Sequence, residues 1–213
     1  MPTSGLGGFY GIVVSSLGFT VLQTQLLAMV LGVVIIVTLL SSAWLVKRFP
    51  NFNCITMLIY VIPSFIGTIV LMTVRNTDTA TRAGLLISYY VVLTFWAAQT
   101  LSMSMISRNI AGQTKKTVVV AANFCAWCAG NAIGPQVFLA WDAPRYFIAF
   151  ATHLGCYALL VLVIVFLRWH LVRCNRKKDE LAAAGIREAK DEKMVHAFED
   201  LTDRENPNFR YLY

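Results

Sequence analysis

Charged side chains are missing from long stretches of this sequence. Residues 1–46 carry none, and neither do the 25 residues from 117 to 141. Before Arg168 there are only two acidic residues against eight basic ones, and 57% of all residues are hydrophobic. About 20 uncharged, mostly apolar residues are enough to cross a bilayer core as a helix. The composition therefore predicts an all-α integral membrane protein, with the lipid bilayer as its first partner, and excludes an ordinary soluble core.

Signatures of several other function classes are also missing. The five cysteines form no secreted disulfide pattern, and the Cys125–Cys128 pair sits at membrane depth, where packing is favoured over redox or metal chemistry. The basic residues are spread over short loops, which argues against nucleic acid as a partner. No Asp, Glu, Lys or Arg lies within a predicted span, except Arg168 at the end of the last one, so these spans lack a carboxylate for proton coupling. We expect no enzyme activity, no cofactor and no bound metal.

Loops and composition divide the chain into a transmembrane bundle, residues 1–169, and a tail, residues 170–213. The first apolar piece reaches only about 22 Å at 1.5 Å per residue, short of a core of roughly 30 Å, so we expect a truncated first helix. The tail is rich in helix formers and is expected to be partly helical and solvated, with an exposed aromatic end. The predicted spans cover about residues 5–19 (partial), 22–46, 52–74, 83–107, 117–141 and 146–168.

The positions of lysine and arginine predict the orientation. Ten of these residues lie in two alternate loops or just past the last span, whereas the opposite loops hold only Arg75, Arg82 and Arg145. Short loops rich in lysine and arginine remain in the cytoplasm, so the tail is predicted to be cytoplasmic.

Small residues recur along the fifth predicted span. Ala122, Ala126, Gly130 and Gly134 follow one another at every fourth position, with Pro135 next to them. Such a stripe lets a second helix approach closely, so these five residues are predicted to serve helix packing.

Polar side chains mark two candidate cavity walls. In the fifth span, Asn123 and Asn131 share a face with Trp127, and this face is typical of either a polar cavity or hydrogen bonds between helices. In the fourth span, Trp96 and Gln99 share a face; their residue types alone slightly favour core packing with one satisfied amide. Apart from cysteines and tyrosines, His153 is the only titratable group placed inside a span, and we interpret it as structural rather than as a proton relay.

Four stretches carry a resemblance to a known family: SLGFTVLQTQLL, AGQTKKT, GNAIGPQVFLAWDAPRY and, in the tail, HAFEDLTDRENPNFRY. They resemble the C-terminal half of fungal major facilitator transporters of the anion:cation symporter group, the allantoate permease-like family. The resemblance implies the C-terminal six-helix half of a major facilitator fold, helices seven (cut) to twelve. It also implies proton-coupled import of a small organic anion or related solute (carboxylate, vitamin, ureide or small peptide) at the plasma membrane.

In that fold, helices seven, eight, ten and eleven line the central cavity, which makes Tyr10, Trp96, Gln99, Asn123 and Asn131 candidates for the substrate cavity. The family's N-terminal half, with its Gly-x-x-x-Asp-Arg loop, does not occur in these 213 residues. We expect a missing N-terminal half as a partner, because alternating access needs two halves. The alternative is a truncated membrane protein that does not transport, either a relic or an interaction partner.

Overall fold

The computed structural model describes residues 10, 11, 14, 18–74, 78–142, 146–183, 202, 203, 206 and 209–213. All regular structure in this part of the chain is helical. From residue 18 onward, this part of the chain contains six α-helices: α1 Val21–Arg48, α2 Asn53–Thr73, α3 Thr79–Val92, α4 Trp96–Asn109, α5 Gln113–Ile133 and α6 Phe147–Ala183. A short 3₁₀ helix, Leu93–Phe95, follows α3, a second, Gly134–Val137, follows α5, and a third covers Ala140–Asp142.

Five helical stretches are long and apolar enough to cross a membrane, which agrees with an integral membrane protein. α3 and α4 together form one of them, Thr79–Asn109, and the others are α1, α2, Gln113–Val137 and most of α6. The predicted spans 22–46, 52–74 and 83–107 lie within a few residues of α1, α2 and the α3–α4 pair. The predicted partial span 5–19 falls mostly outside the described residues, as does the middle of the tail.

Helix α1 begins at a capping box. The Thr20 hydroxyl accepts a hydrogen bond from the Gln23 amide at 3.3 Å, and the Gln23 side chain accepts one from the Thr20 amide at 3.0 Å. Two backbone donors that a helix start leaves unpaired are thereby satisfied. Gly18, with a φ of 91°, makes the turn just before the cap. Lys47 and Arg48 occupy the last turn, where their charge complements the helix dipole.

Helix α2 lies at the centre of the bundle and contacts α3, α4 and α6. Its approach to α3 is closest at Gly67, where a Cβ atom would lie 2.9 Å from the carbonyl oxygen of Ser88 and 2.9 Å from a methyl of Val92. One turn earlier, the buried Ser64 hydroxyl donates to the Tyr60 carbonyl at 2.9 Å, and Thr94 donates to the same carbonyl at 3.1 Å. These hydroxyls add hydrogen bonds to the Tyr60 carbonyl, whereas the carbonyl that Pro63 leaves without an amide partner is that of Ile59, four residues earlier.

Two helix ends differ from the prediction. The fifth span was expected to reach residue 141, but α5 ends at Ile133 and continues only as a 3₁₀ turn to Val137. Pro135 has no amide hydrogen to donate to the preceding turn, which explains the change. Helix α6 runs on to Ala183, past the expected start of the tail at residue 170. Basic residues mark where a chain leaves the bilayer, and they do not interrupt helical hydrogen bonding.

One end of the bundle, which we call the basic face, gathers the end of α1, the start of α2, the end of α4 and the start of α5. Lys47, Asn53, Asn109 and Lys115 mark these four positions. The expectation of an exposed aromatic end to the tail is wrong, because Tyr211 and Tyr213 are half-buried and pack against the hydrophobic core there.

Candidate functional site

A cavity of about 250 Å³ lies between α4, α5 and α6, with Met57 of α2 also on its wall. Its polar side chains come from all three helices. They are Gln99, Ser102, Asn123 and Tyr157, and Trp127 adds an indole.

Helical spacing explains why these side chains meet. In α4 and the turn before it, the lining residues stand at positions 95, 98, 99 and 102, and in α5 at positions 123, 126 and 127. Residues three and four apart share one face of a helix. The structure therefore brings together two of the predicted cavity residues, Gln99 and Asn123, on neighbouring helices.

Asn123 is held at the cavity wall by a weak partner. Its side-chain nitrogen lies 3.0 Å from the thioether sulfur of Met103 on α4. A thioether is a poor hydrogen-bond acceptor compared with a carboxylate or carbonyl oxygen. The amide can therefore exchange this contact for a stronger acceptor on a ligand at a small energetic penalty.

Tyr157 is a wall residue that the sequence reasoning missed. Its side chain is 0% exposed, and within the described part of the chain its hydroxyl has no hydrogen-bond partner. Leaving a buried hydroxyl unpaired costs about 1–3 kcal/mol. The hydroxyl is closed off from solvent, so a polar ligand atom could pair with it only after the wall shifts. Phe95 holds the phenol ring in place, with ring centroids 5.7 Å apart.

His153 stands one helical turn before Tyr157 and is also buried. Its Nδ1 lies 2.6 Å from the carbonyl oxygen of Ala149, while Nε2 has no partner among the described residues. The edge of the Phe138 ring packs against the imidazole at a centroid distance of 5.8 Å. The backbone contact agrees with the structural interpretation of His153, although the second ring nitrogen remains unpaired in this part of the chain.

The other three candidate cavity residues lie elsewhere. The Tyr10 hydroxyl donates to the Thr24 carbonyl at 3.3 Å, and the Tyr10 ring lies 5.7 Å from that of Tyr89, beside the start of α1. Trp96 packs against the hydrophobic core. Asn131 lies two helical turns along α5 from Asn123. For Tyr10, Trp96 and Asn131, a role in a substrate cavity stays a prediction.

Most of the small-residue stripe is not buried against another helix in the described part of the chain. Ala122 and Ala126 are exposed, Gly130 and Pro135 are half-buried, and only Gly134 is buried. Ala126 lines the cavity instead. Packing of a second helix against these five residues stays a prediction.

A second cavity, of about 760 Å³, opens on the basic face between α1, α2 and α4. Lys47 and Arg108 lie on its wall together with the polar residues Ser42, Asn53 and Ser104. Two cations beside hydrogen-bonding groups suit an anion. Among the described residues, no group of three histidine, cysteine or acidic side chains could hold a metal ion.

Comparisons with known proteins give a consistent set of relatives. An MFS-type transporter from Penicillium expansum is 31% identical over 211 residues, which is 99% of this chain and 42% of the relative. An uncharacterized transporter from Schizosaccharomyces pombe is 34% identical over 99% of this chain and 40% of its own length. The allantoate permease of Saccharomyces cerevisiae is 30% identical over 99% of this chain and 39% of its own length.

The chain therefore spans about two fifths of the length of these curated relatives. No protein-family model and no solved structure matches it significantly.

Proposed function

We propose that this chain is one half of a transporter for a small organic anion. The chain is a homologue of fungal MFS-type transporters along its whole length, as the motifs in its sequence predicted. In the complete protein it forms a six-helix half with a partial site at the cavity between α4, α5 and α6. A second half supplies the remainder of the site, and import is coupled to protons.

The observation that carries this proposal is the cavity wall that Tyr157 shares with Gln99 and Asn123, where the Tyr157 hydroxyl has no hydrogen-bond partner among the described residues. A phenol and two amides offer several hydrogen-bond donors to the oxygens of a carboxylate or ureide. The cavity, at about 250 Å³, is smaller than the roughly 300–1,000 Å³ of complete ligand sites. Its size therefore fits part of a site rather than all of one.

Exposure on two helices supports pairing with a second half. Helix α5 buries none of its residues from Gln113 to Ile133, and α1 exposes large side chains such as Met29, Val33 and Trp44. In the complete transporter the second half covers part of these faces and rocks against them, as alternating access requires. The small-residue stripe of α5 then provides the close contact.

The basic face supports an anionic substrate and a cytoplasmic tail. Lys47 and Arg108 lie on the wall of the larger cavity, and their positive charges would attract an anionic substrate at the cytoplasmic end of its path through the bundle. One relative is named an allantoate permease and another a thiamine pathway transporter, which agrees with a small polar solute. Loops rich in lysine and arginine remain in the cytoplasm, so we place the basic face there and the protein in the plasma membrane.

A chimera tests the proposal. The matched 219-residue part of the yeast allantoate permease is replaced by this chain, and uptake of labelled carboxylates, ureides, vitamins and dipeptides is measured in cells without their own permeases. We expect proton-dependent uptake of at least one solute. A chimera that reaches the cell surface and takes up none would favour the alternative of a membrane protein that does not transport.

A tyrosine pair then tests the site within the same chimera. Tyr157→Phe removes the unpaired hydroxyl and should lower the affinity for substrate by about 1 kcal/mol or more. Tyr60→Phe removes a hydroxyl that lies 2.6 Å from the Ser41 hydroxyl, outside the cavity, and serves as the matched control. Equal uptake kinetics in the two variants at equal surface expression would remove Tyr157 from the site.

A further inference from the structure

We propose that the basic face and the adjoining part of α6 carry a peptide-binding site whose ligand is the 209–213 segment of this chain. The site is built from Asn109 of α4 and from Arg168, Asn175 and Lys178 of α6. The described contacts resemble recognition of an extended peptide, in which main-chain bonds supply affinity and side-chain contacts supply selectivity.

Two asparagines pair with the backbone of consecutive residues. Asn175 donates to the Tyr211 carbonyl at 2.8 Å and accepts from the Tyr211 amide at 3.0 Å. Asn109 donates to the Leu212 carbonyl at 2.8 Å and accepts from the Leu212 amide at 2.7 Å. Both groups of one residue in an extended strand point to the same edge, and the next residue uses the opposite edge. Helices α4 and α6 therefore hold the segment from its two sides.

The aromatic side chains of the segment meet two cations. Phe209, Tyr211 and Tyr213 alternate with other residues, so an extended backbone places them on one face. The Lys178 ammonium lies 5.4 Å from the Phe209 ring centroid and 5.0 Å from that of Tyr211, and the Arg168 guanidinium lies 5.3 Å from that of Tyr213. Cations at these distances are attracted to the ring faces.

Lys178 shows that the site is built for this occupant. The residue is only 8% exposed, and its ammonium donates to the carbonyls of Asp203 at 2.7 Å and Phe209 at 3.0 Å. Burying an ammonium is unfavourable unless hydrogen-bond acceptors replace its water. One acceptor, the Phe209 carbonyl, belongs to the bound segment, and the other belongs to Asp203, six residues before it.

Further contacts connect this stretch to two more helices. Asp203, 6% exposed, accepts hydrogen bonds from Lys115 of α5 and from the Tyr211 hydroxyl, the latter at 2.6 Å. The Asn53 amide at the start of α2 donates to the Tyr213 carbonyl at 3.2 Å. The 209–213 segment thus joins α2, α4 and α6 directly and α5 through Asp203, which helps this half of the bundle to move as one body.

Hydrogen exchange tests the proposal on the full chain in detergent. The Tyr211 and Leu212 amides both donate to asparagine oxygens, so we expect them to exchange more slowly than in a free peptide of the same sequence. Asn109→Ala combined with Asn175→Ala should raise their exchange rates about tenfold or more. Gly84→Ala is the matched control and should leave both rates unchanged, because Gly84 lies toward the opposite end of the bundle and a Cβ there meets nothing within 4 Å. Exchange at the free-peptide rate in the unmodified chain would overturn the proposal.

A competing peptide tests the same site without any substitution. Excess synthetic NPNFRYLY should occupy the site and raise the exchange rates of the Tyr211 and Leu212 amides in the intact chain. A scrambled peptide of the same composition should have no effect. Equal results with the two peptides would show that the site does not recognise this sequence and would overturn the proposal.

Discussion

The contact between α2 and α3 at Gly67 predicts a cost for adding a single methyl group. In Gly67→Ala the new Cβ would lie 2.9 Å from the Ser88 carbonyl oxygen and 2.9 Å from a Val92 methyl. Neither neighbour can easily turn away, because Ser88 contributes backbone and a helical valine is held in one rotamer. The two helices must therefore separate by several tenths of an ångström.

The magnitude follows from two opposing effects. Overpacking of a tight contact costs about 1–3 kcal/mol, whereas alanine in place of glycine inside a helix gains at most about 1 kcal/mol. We therefore expect Gly67→Ala to lower the free energy of unfolding by about 1–2 kcal/mol. For a chain of this size, that corresponds to a midpoint lower by roughly 2–8 °C.

Thermal unfolding in detergent, followed by circular dichroism, measures the effect. Gly84→Ala is the matched control, because a Cβ there meets nothing within 4 Å, and its midpoint should stay the same or rise. If Gly67→Ala melts at or above the temperature of Gly84→Ala, the close contact between α2 and α3 does not exist as described.

Four further predictions concern the site, the tail and the membrane. In the chimera, Gln99→Ala should weaken substrate binding by about 1–3 kcal/mol, measured from uptake kinetics at unchanged surface expression. Unchanged kinetics would show that Gln99 serves packing only. Burial alone would raise the pKa of the Asp203 carboxyl, but hydrogen bonds from Lys115 and Tyr211 outweigh it and hold that pKa below its ordinary value. Docking of the 209–213 segment should therefore be at full strength above about pH 4 and should weaken as the pH falls through the lowered pKa. Asp203→Asn should abolish this pH dependence. Amide exchange in the segment, compared with exchange in the free peptide, measures both effects. A cysteine introduced at Thr114 should react with a membrane-impermeant reagent only after the cells are opened. Labelling of intact cells would show that this loop lies outside and that the predicted orientation is wrong. The 213-residue chain expressed alone should accumulate none of the solutes, and proton-dependent accumulation would show that it needs no second half.

The helix bounds follow from the sequence where local chemistry ends a helix. The Thr20–Gln23 capping box and the basic last turn of α1 are both local signals, so its limits could be predicted within two residues. The end of α5 was placed too late because apolar residues continue after Pro135, and hydropathy reports the bilayer rather than backbone hydrogen bonding. The same reason explains why α6 outlasts its predicted membrane exit.

The candidate site could be predicted only in part. Gln99 and Asn123 are polar residues in apolar spans, a signal that the sequence shows directly. Tyr157 matters because its hydroxyl has no partner in the described part of the chain, and that is a property of the packed bundle. Gly67 is a single glycine without a repeat, so only the distance to Ser88 reveals its role.

The tail interaction was missed for a related reason. Asn109 and Asn175 stand at a helix end and on a helix beyond the membrane, where asparagine is an ordinary exposed residue. Their pairing with Tyr211 and Leu212 joins positions up to 103 residues apart, and no spacing rule connects them.

The length of α6 has a mechanical consequence. Tyr157 at the cavity and Asn175 at the peptide site stand on one unbroken helix, 18 residues and about 27 Å apart. If the proposed substrate tilted α6, the affinity of Asn175 and Lys178 for the 209–213 segment would change as well. By linkage, binding of the segment would then change the substrate affinity by the same factor.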